Sequence, residues 1–198
     1  ISEGKTLPTL KGRTQGYSTV SFRSFAISAG YDGTDDRLLP KKGYKYEFQL
    51  DGGKQNNTGF FEGQYQFSYY FPMTNQSFLM FMSNGKSIWS EKGQIPKSRL
   101  YYFGGASTLR GYREQQFFSP SYQVSSFEFG YRPNPGWQGN LFIDYGTNFP
   151  GGIQHGRVGY GLGFTQVNRK AIIKIQYAVP GSLDFQNGKL HIKWISRL

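Results

Sequence analysis

Few residues in this chain are placed to do chemistry. It has no cysteine, which excludes thiol nucleophiles, disulfides and thiolate metal sites, and its two histidines, His155 and His191, are too few for an imidazole centre. The run Gly159-Tyr160-Gly161-Leu162-Gly163 is spaced G-x-G-x-G, and its flanks alternate like strands, without the helix N-terminus a dinucleotide loop needs. Gly85-Lys86-Ser87 lacks the glycine five positions earlier that a phosphate loop requires; Met80 stands there. Serine and aspartate are plentiful, yet no G-x-S-x-G elbow presents a nucleophile. No catalysis and no cofactor are therefore expected. One segment stands out, the connection over residues 90–117. It carries Gly104-Gly105 and then Leu109-Arg110-Gly111-Tyr112, a single arginine held between leucine and glycine. A long loop built this way is expected to dock or to act rather than to fill solvent.

The elements that position this loop read as strands. Among 198 residues there are 18 Phe, 15 Tyr and 27 Gly, a composition that leans to β-structure and away from helical bundles. Period-2 alternation dominates: Tyr44, Tyr46, Phe48 and Leu50 alternate with Lys45, Glu47, Gln49 and Asp51, and Phe127, Phe129 and Tyr131 alternate with Glu128, Gly130 and Arg132. The pattern predicts nine strands, near 17–32, 43–51, 59–71, 77–89, 118–132, 137–147, 157–167, 171–179 and 189–197.

Alternation alone fits a soluble sandwich as well as a membrane barrel turned apolar side out. Two observations favour the barrel. The segments run to about 10–15 residues, close to the roughly 9–11 that a tilted strand needs to cross hydrocarbon. The connections also alternate in length. Those at 72–76, 133–136 and 168–170 are short, as periplasmic turns are, and those at 52–58, 90–117, 148–156 and 180–188 are longer. The ten-residue turn over 33–42 breaks that rule.

Net charge is +11, but the bases are scattered, with Lys41-Lys42 and Arg169-Lys170 the densest clusters, so nucleic acid is not an expected partner. Mean hydropathy is −0.57 and no stretch approaches the roughly 18 apolar residues of a spanning helix. The chain begins at Ile1 with no signal-like apolar core, which reads as a removed leader or as a piece of something longer. No repeat or linker divides it. Residues 1–198 read as one unit, with 1–16 a loop or the end of a preceding strand.

The loop motif Gly104-Gly105…Leu109-Arg110-Gly111-Tyr112 resembles the R-G-[FY] loop of the BamA/TamA outer-membrane superfamily, which also includes two-partner secretion pores. Other pieces match in order. Tyr31-Asp32-Gly33-Thr34-Asp35-Asp36 with Pro40-Lys41-Lys42-Gly43 resembles the family's Y-D-x-x-D…P-x-x-G turn. Phe127-Glu128-Phe129, Asp144-Tyr145-Gly146 and Gly161-Leu162-Gly163 resemble three of its strands. The resemblance spans about residues 17–198. It implies the C-terminal part of a barrel of about sixteen strands, preceded in most members by periplasmic POTRA domains. It also implies that the loop folds into the lumen and that Arg110 pairs there with Glu128 and Asp144. Strand parity agrees with this. With Phe127 and Phe129 facing lipid, Glu128 faces the lumen, and with Leu141, Ile143 and Tyr145 facing lipid, so does Asp144. Gly159, Gly161 and Gly163 then also face the lumen, where the absence of side chains lets a backbone approach. One departure is the C-terminus, Trp194-Ile195-Ser196-Arg197-Leu198, where the family's last strand ends in an aromatic residue.

By resemblance, the chain is expected in the outer membrane of a Gram-negative bacterium, in contact with lipid and lipopolysaccharide. It would be a non-enzymatic factor that folds and inserts nascent outer-membrane β-barrel polypeptides, with residues 189–198 at a weakly paired seam. The alternatives are a two-partner-type polypeptide secretion pore, the barrel anchor of an exported patatin-like lipase, and a soluble β-sandwich binding module.

Overall fold

A computed structural model describes residues 22–55, 57–149, 156–182 and 185–196. Among them, nine long strands form one sheet: β1 (Phe22–Asp32), β2 (Gly43–Gln55), β3 (Thr58–Pro72), β4 (Ser77–Ser90), β7 (Ser121–Asn134), β8 (Trp137–Phe149), β9 (Arg157–Val167), β10 (Ala171–Pro180) and β11 (Lys189–Ser196). Two short strands, β5 (Tyr101–Phe103) and β6 (Phe117–Ser119), make a separate hairpin inside the long loop. Neighbours in the large sheet follow chain order, β1-β2-β3-β4-β7-β8-β9-β10-β11, and every pairing is antiparallel. This is the meander expected of barrel strands. Among the described residues β1 and β11 are each paired on one side only, so the sheet is an open portion of a barrel.

The strand expectations hold with two adjustments. Phe118 and Ser119 do not belong to a spanning strand, because they pair with Tyr102 and Tyr101 in the hairpin; β7 begins only at Ser121. The second strand runs on to Gln55, past the expected end at residue 51. Residues 1–16, the 17–21 stretch assigned to the first strand, His155, and the last two seam positions, 197 and 198, lie outside the described residues.

The two faces sort as alternation requires. Phe25, Ile27, Phe48, Phe127, Leu141 and Ile192 are 43–66% exposed on the convex face. In water such a surface would be an aggregation liability, whereas against hydrocarbon it is the stable side. The opposite face is polar and concave. A single cavity touches Gln66 of β3, Glu128 of β7, Thr165 of β9 and His191 of β11, so the sheet curls around it. Aromatic rings fill the space over some cross-strand glycines: a β-carbon at Gly85 would run into the Tyr65 ring, and one at Gly161 into the Phe142 ring. Among the described residues no helix is long and apolar enough to cross a membrane.

The turn over 33–42, too long for its side of the barrel, is a structured device. The Asp35 carboxylate accepts hydrogen bonds from the backbone N–H groups of Lys41 (2.9 Å) and Lys42 (3.0 Å), and Asp36 accepts from Leu38 (2.7 Å) and Leu39 (3.1 Å). Partial burial works to raise the Asp35 pKa, but those N–H groups outweigh it and hold the carboxyl below its ordinary range. The turn folds across the concave face. Leu39 is buried, its carbonyl accepts from Arg132 on β7, and the Lys41 ammonium donates to the Asn75 carbonyl at 2.9 Å.

Candidate functional site

The loop between β4 and β7 enters the concave face, and local bonds shape its tip. Gly104 and Gly105 sit at φ +110° and +96°, the left-handed region open to glycine. The Gly104 N–H donates to Thr108 Oγ1 (2.7 Å), the Gly105 N–H to the Leu109 carbonyl (2.9 Å), and the Ala106 N–H to Glu114 Oε1 (2.7 Å). These bonds turn the chain so that Leu109 and Arg110 project into the sheet. Leu109 is fully buried with Phe103, Tyr122 and Val124, and also packs against Gly146, where a β-carbon would crowd it. The hairpin β5–β6 therefore serves as part of the loop's apolar anchor. At the loop's base Arg99 pairs with Glu62, which also accepts from the Tyr101 hydroxyl at 2.7 Å. Burial, and then that hydrogen bond to Glu62, push the Tyr101 hydroxyl well above its ordinary pKa.

Arg110 is 4% exposed and all its guanidinium nitrogens are engaged. Nε donates to Asp144 Oδ2 (2.7 Å) and Nη2 to Asp144 Oδ1 (2.5 Å), the two-pronged fork that suits a carboxylate. Nη2 also donates to Ser126 Oγ (2.7 Å), and Nη1 lies 2.5 Å from Glu128 Oε1. The backbone N–H of Arg110 adds a bond to Asp144 Oδ2 at 3.0 Å. Below, the guanidinium carbon stands 3.4 Å from the centre of the Phe142 ring, a cation–π contact. Burial works against the charge, but the hydrogen bond to Asp144 and the Glu128 charge outweigh it, so the arginine pKa is raised rather than lowered. Glu128 is held in turn by Asn140 Nδ2 at 2.7 Å, and Asp144 is fully buried.

The structure thus brings Arg110, Glu128 and Asp144 together, with Leu109 and Gly111 beside them. Gly111, at φ +90°, lies against the Val179 carbonyl, and Tyr112 donates its hydroxyl to the Val158 carbonyl at 3.1 Å. The three glycines of β9 divide. Gly159 alone meets the loop backbone: a β-carbon there would overlap the Arg110 carbonyl oxygen. Gly161 faces the Phe142 ring, and Gly163 the side chains of Asn140 and Gln176, so these two are not loop-facing as the sequence reading had them. That reading also missed Ser126, Asn140 and Phe142. Ser126 is the register partner of Asp144, so it was findable once β7 and β8 were paired. Phe142 was signalled by an aromatic residue on the polar parity of its strand.

Chemically, this is a lock. It holds a loop inside a sheet through a charge cluster that is satisfied only when the loop is in place. Among the described residues no group of three or more His, Asp or Glu could hold a metal ion.

Comparison with known proteins agrees with the fold. The family model of the Omp85 superfamily domain matches residues 9–190, starting inside the 1–16 stretch that the motifs left unplaced. Among solved structures, CdiB from Acinetobacter baumannii superposes with a TM-score of 0.57 at 14% identity, covering 89% of this chain and 32% of its own. The chain therefore spans about a third of that protein's length. No curated protein matches the sequence.

Proposed function

This chain belongs to the Omp85 superfamily, and we propose that it is the C-terminal part of a barrel that folds and inserts other β-barrel polypeptides in the outer membrane of a Gram-negative bacterium. The observation that carries this reading is the docked loop. With Arg110 engaged and the 33–42 turn folded across the same concave face, the lumen side of the sheet is occupied from both ends. An occupied lumen supports a lateral route, in which an incoming strand pairs with an open sheet edge, over passage through the pore. Its partners would then be unfolded barrel polypeptides, lipid and lipopolysaccharide on the apolar face, and POTRA domains on the periplasmic side. The protein would have no enzymatic role.

Depletion of the full-length protein in its own cell tests this, read as the heat-modifiable, folded fraction of the abundant outer-membrane barrels. A broad fall in folded barrels is the expected result. Unchanged barrels with loss of a single exported polypeptide would replace insertion with dedicated secretion, and loss of a tethered lipase activity would make the barrel an anchor.

A further inference from the structure

Between the docked loop and the 33–42 turn lies a cavity of about 440 Å³. Residues 106–108 and Arg110 form one end, residues 38–40 the other, and the polar face of β9, β10 and β11 is its wall. The charge on that wall is one-sided. Lys174 and Lys193 stand directly opposite each other on β10 and β11, and both line the cavity. Like charges in opposed positions destabilise a sheet unless something of opposite sign lies between them. No carboxylate oxygen among the described residues lies within 4 Å of either ammonium. Of the acids around the chamber, Asp144 and Glu128 hold Arg110, and Glu114 Oε1 accepts from the Ala106 N–H and lies 3.9 Å from His191 Nδ1.

The next inward-facing pair up the same strands adds a neutral donor. Gln176 opposes His191; it is only 2% exposed, lines the cavity, and its Nε2 has no hydrogen-bond partner among the described residues. A buried amide donor left unmatched is costly, and such a donor beside two cations is an arrangement that recognises an oxyanion; the Nε2 of His191, across from it, is likewise without a hydrogen-bond partner among the described residues. Opposite this basic wall the lining is mixed: Leu38, Leu39 and Phe78 are apolar, while Gln66, Tyr70 and Glu128 are polar.

We propose that this chamber is an oxyanion-binding site, in which Lys174 and Lys193 supply the charge and Gln176 the oriented hydrogen bond. Two sources offer that chemistry, an acidic side chain of a polypeptide and a free phosphate. The apolar residues that share the chamber, Leu38, Leu39 and Phe78, favour the polypeptide; that source rests on the proposed handling of polypeptides, whereas oxyanion binding does not.

The test is calorimetric titration of the folded full-length protein in detergent with hexaglutamate, hexaglutamine and inorganic pyrophosphate. Hexaglutamate is expected to bind and hexaglutamine not. The double variant K174Q/K193Q should weaken hexaglutamate binding by about tenfold or more. Lys97→Gln, an exposed base at the foot of the loop, should leave it unchanged. Gln176→Leu should weaken binding with both charges intact. Heat-modifiable mobility verifies that each variant is folded, and Lys174→Glu, which should reverse the preference toward hexalysine, keeps the test open if the double variant fails to fold. Equal hexaglutamate affinity in wild type and K174Q/K193Q, or binding of neither anion to folded wild type, overturns the site. Pyrophosphate binding without hexaglutamate binding supports the site and assigns it to a free anion. If depletion leaves other barrels folded while K174Q/K193Q still loses hexaglutamate, the insertion reading falls and the site stands.

Discussion

Two segments reach into the concave face of this sheet from opposite ends, and they are held there by different physics. The turn over 33–42 is built from itself. Its carboxylates bond backbone groups two to seven residues away, so its shape is held locally, and its long-range ties are a few bonds such as those from Arg132 and Lys41. The loop over 91–120 is the reverse. Its decisive contacts run from Arg110 to Ser126, Glu128 and Asp144, up to 34 residues away, and they bury three charges that are satisfied only together. A locally built device can undock with little penalty, whereas a long-range charge cluster leaves buried, unpaired ions when any member is removed. The loop is therefore expected to behave as all-or-none and the turn as graded.

The largest test of that contrast is Arg110→Ala. It strands Glu128 and Asp144, at a cost of about 3–5 kcal/mol. Protease cleavage within 91–120 of the folded full-length protein should then accelerate by about a hundredfold or more, if cleavage follows the undocked population. Arg110→Lys keeps the charge but loses the fork to Asp144 and the stack on Phe142, so it should restore only part of the protection. Unchanged protection in Arg110→Ala would remove the lock. A smaller loosening is expected from Gly159→Ala, whose new β-carbon would overlap the Arg110 carbonyl oxygen; overpacking of this kind costs about 1–3 kcal/mol. Gly163→Ala meets the side chains of Asn140 and Gln176 instead, which can move, and should disturb loop protection less. Equal effects of the two alanines would mean that the sheet, rather than the loop contact, is what they perturb.

The same contrast decides what the sequence made legible. Strand existence, the face on which Glu128 and Asp144 lie, and the unusual loop were readable because period-2 alternation and glycine spacing are local signals. The pairing of Arg110 with those two acids came from motif resemblance, since nothing in spacing alone brings residue 110 to residue 144. The hairpin β5–β6 was hidden inside the long connection: three-residue strands give alternation too few positions to register, so Phe118 read as the start of β7. Leu109 could be singled out but its pocket could not, because Phe103, Tyr122 and Val124 converge only once β7 is paired and the loop is folded. The 33–42 turn stood out by length as an exception, yet its reason, a docked Leu39 and a tie to Arg132 on β7, is again a long-range fact.

On the turn itself, effects should be smaller. Arg132→Gln removes the donor to the Leu39 carbonyl, worth about 1–2 kcal/mol. Amide exchange within 33–42 should speed by about tenfold, with protection of 91–120 unchanged. If the loop loosened as well, the two segments would be coupled through the chamber between them, and the contrast would fail.

The smallest expected effect is a pH dependence confined to the turn. The folded-state pKa of Asp35 lies below its ordinary value, since the Lys41 and Lys42 N–H groups prevail over partial burial, with Arg132 adding a favourable charge. A group depressed in the folded state contributes stability that is complete above the unfolded carboxylate pKa and is lost as pH falls through the folded one. The turn should thus hold at neutral pH and loosen only on acidification below the ordinary carboxylate range. The amide resonances of Lys41 and Lys42 in the micelle-bound full-length protein report this directly. Their titration midpoint should lie below that of a free aspartate, rise toward it in Arg132→Gln, and vanish in Asp35→Asn, which keeps a carbonyl acceptor but has no proton to gain. A midpoint at the free-aspartate value would mean that the carboxylate does not organise the turn, and that its docking contacts alone set its shape.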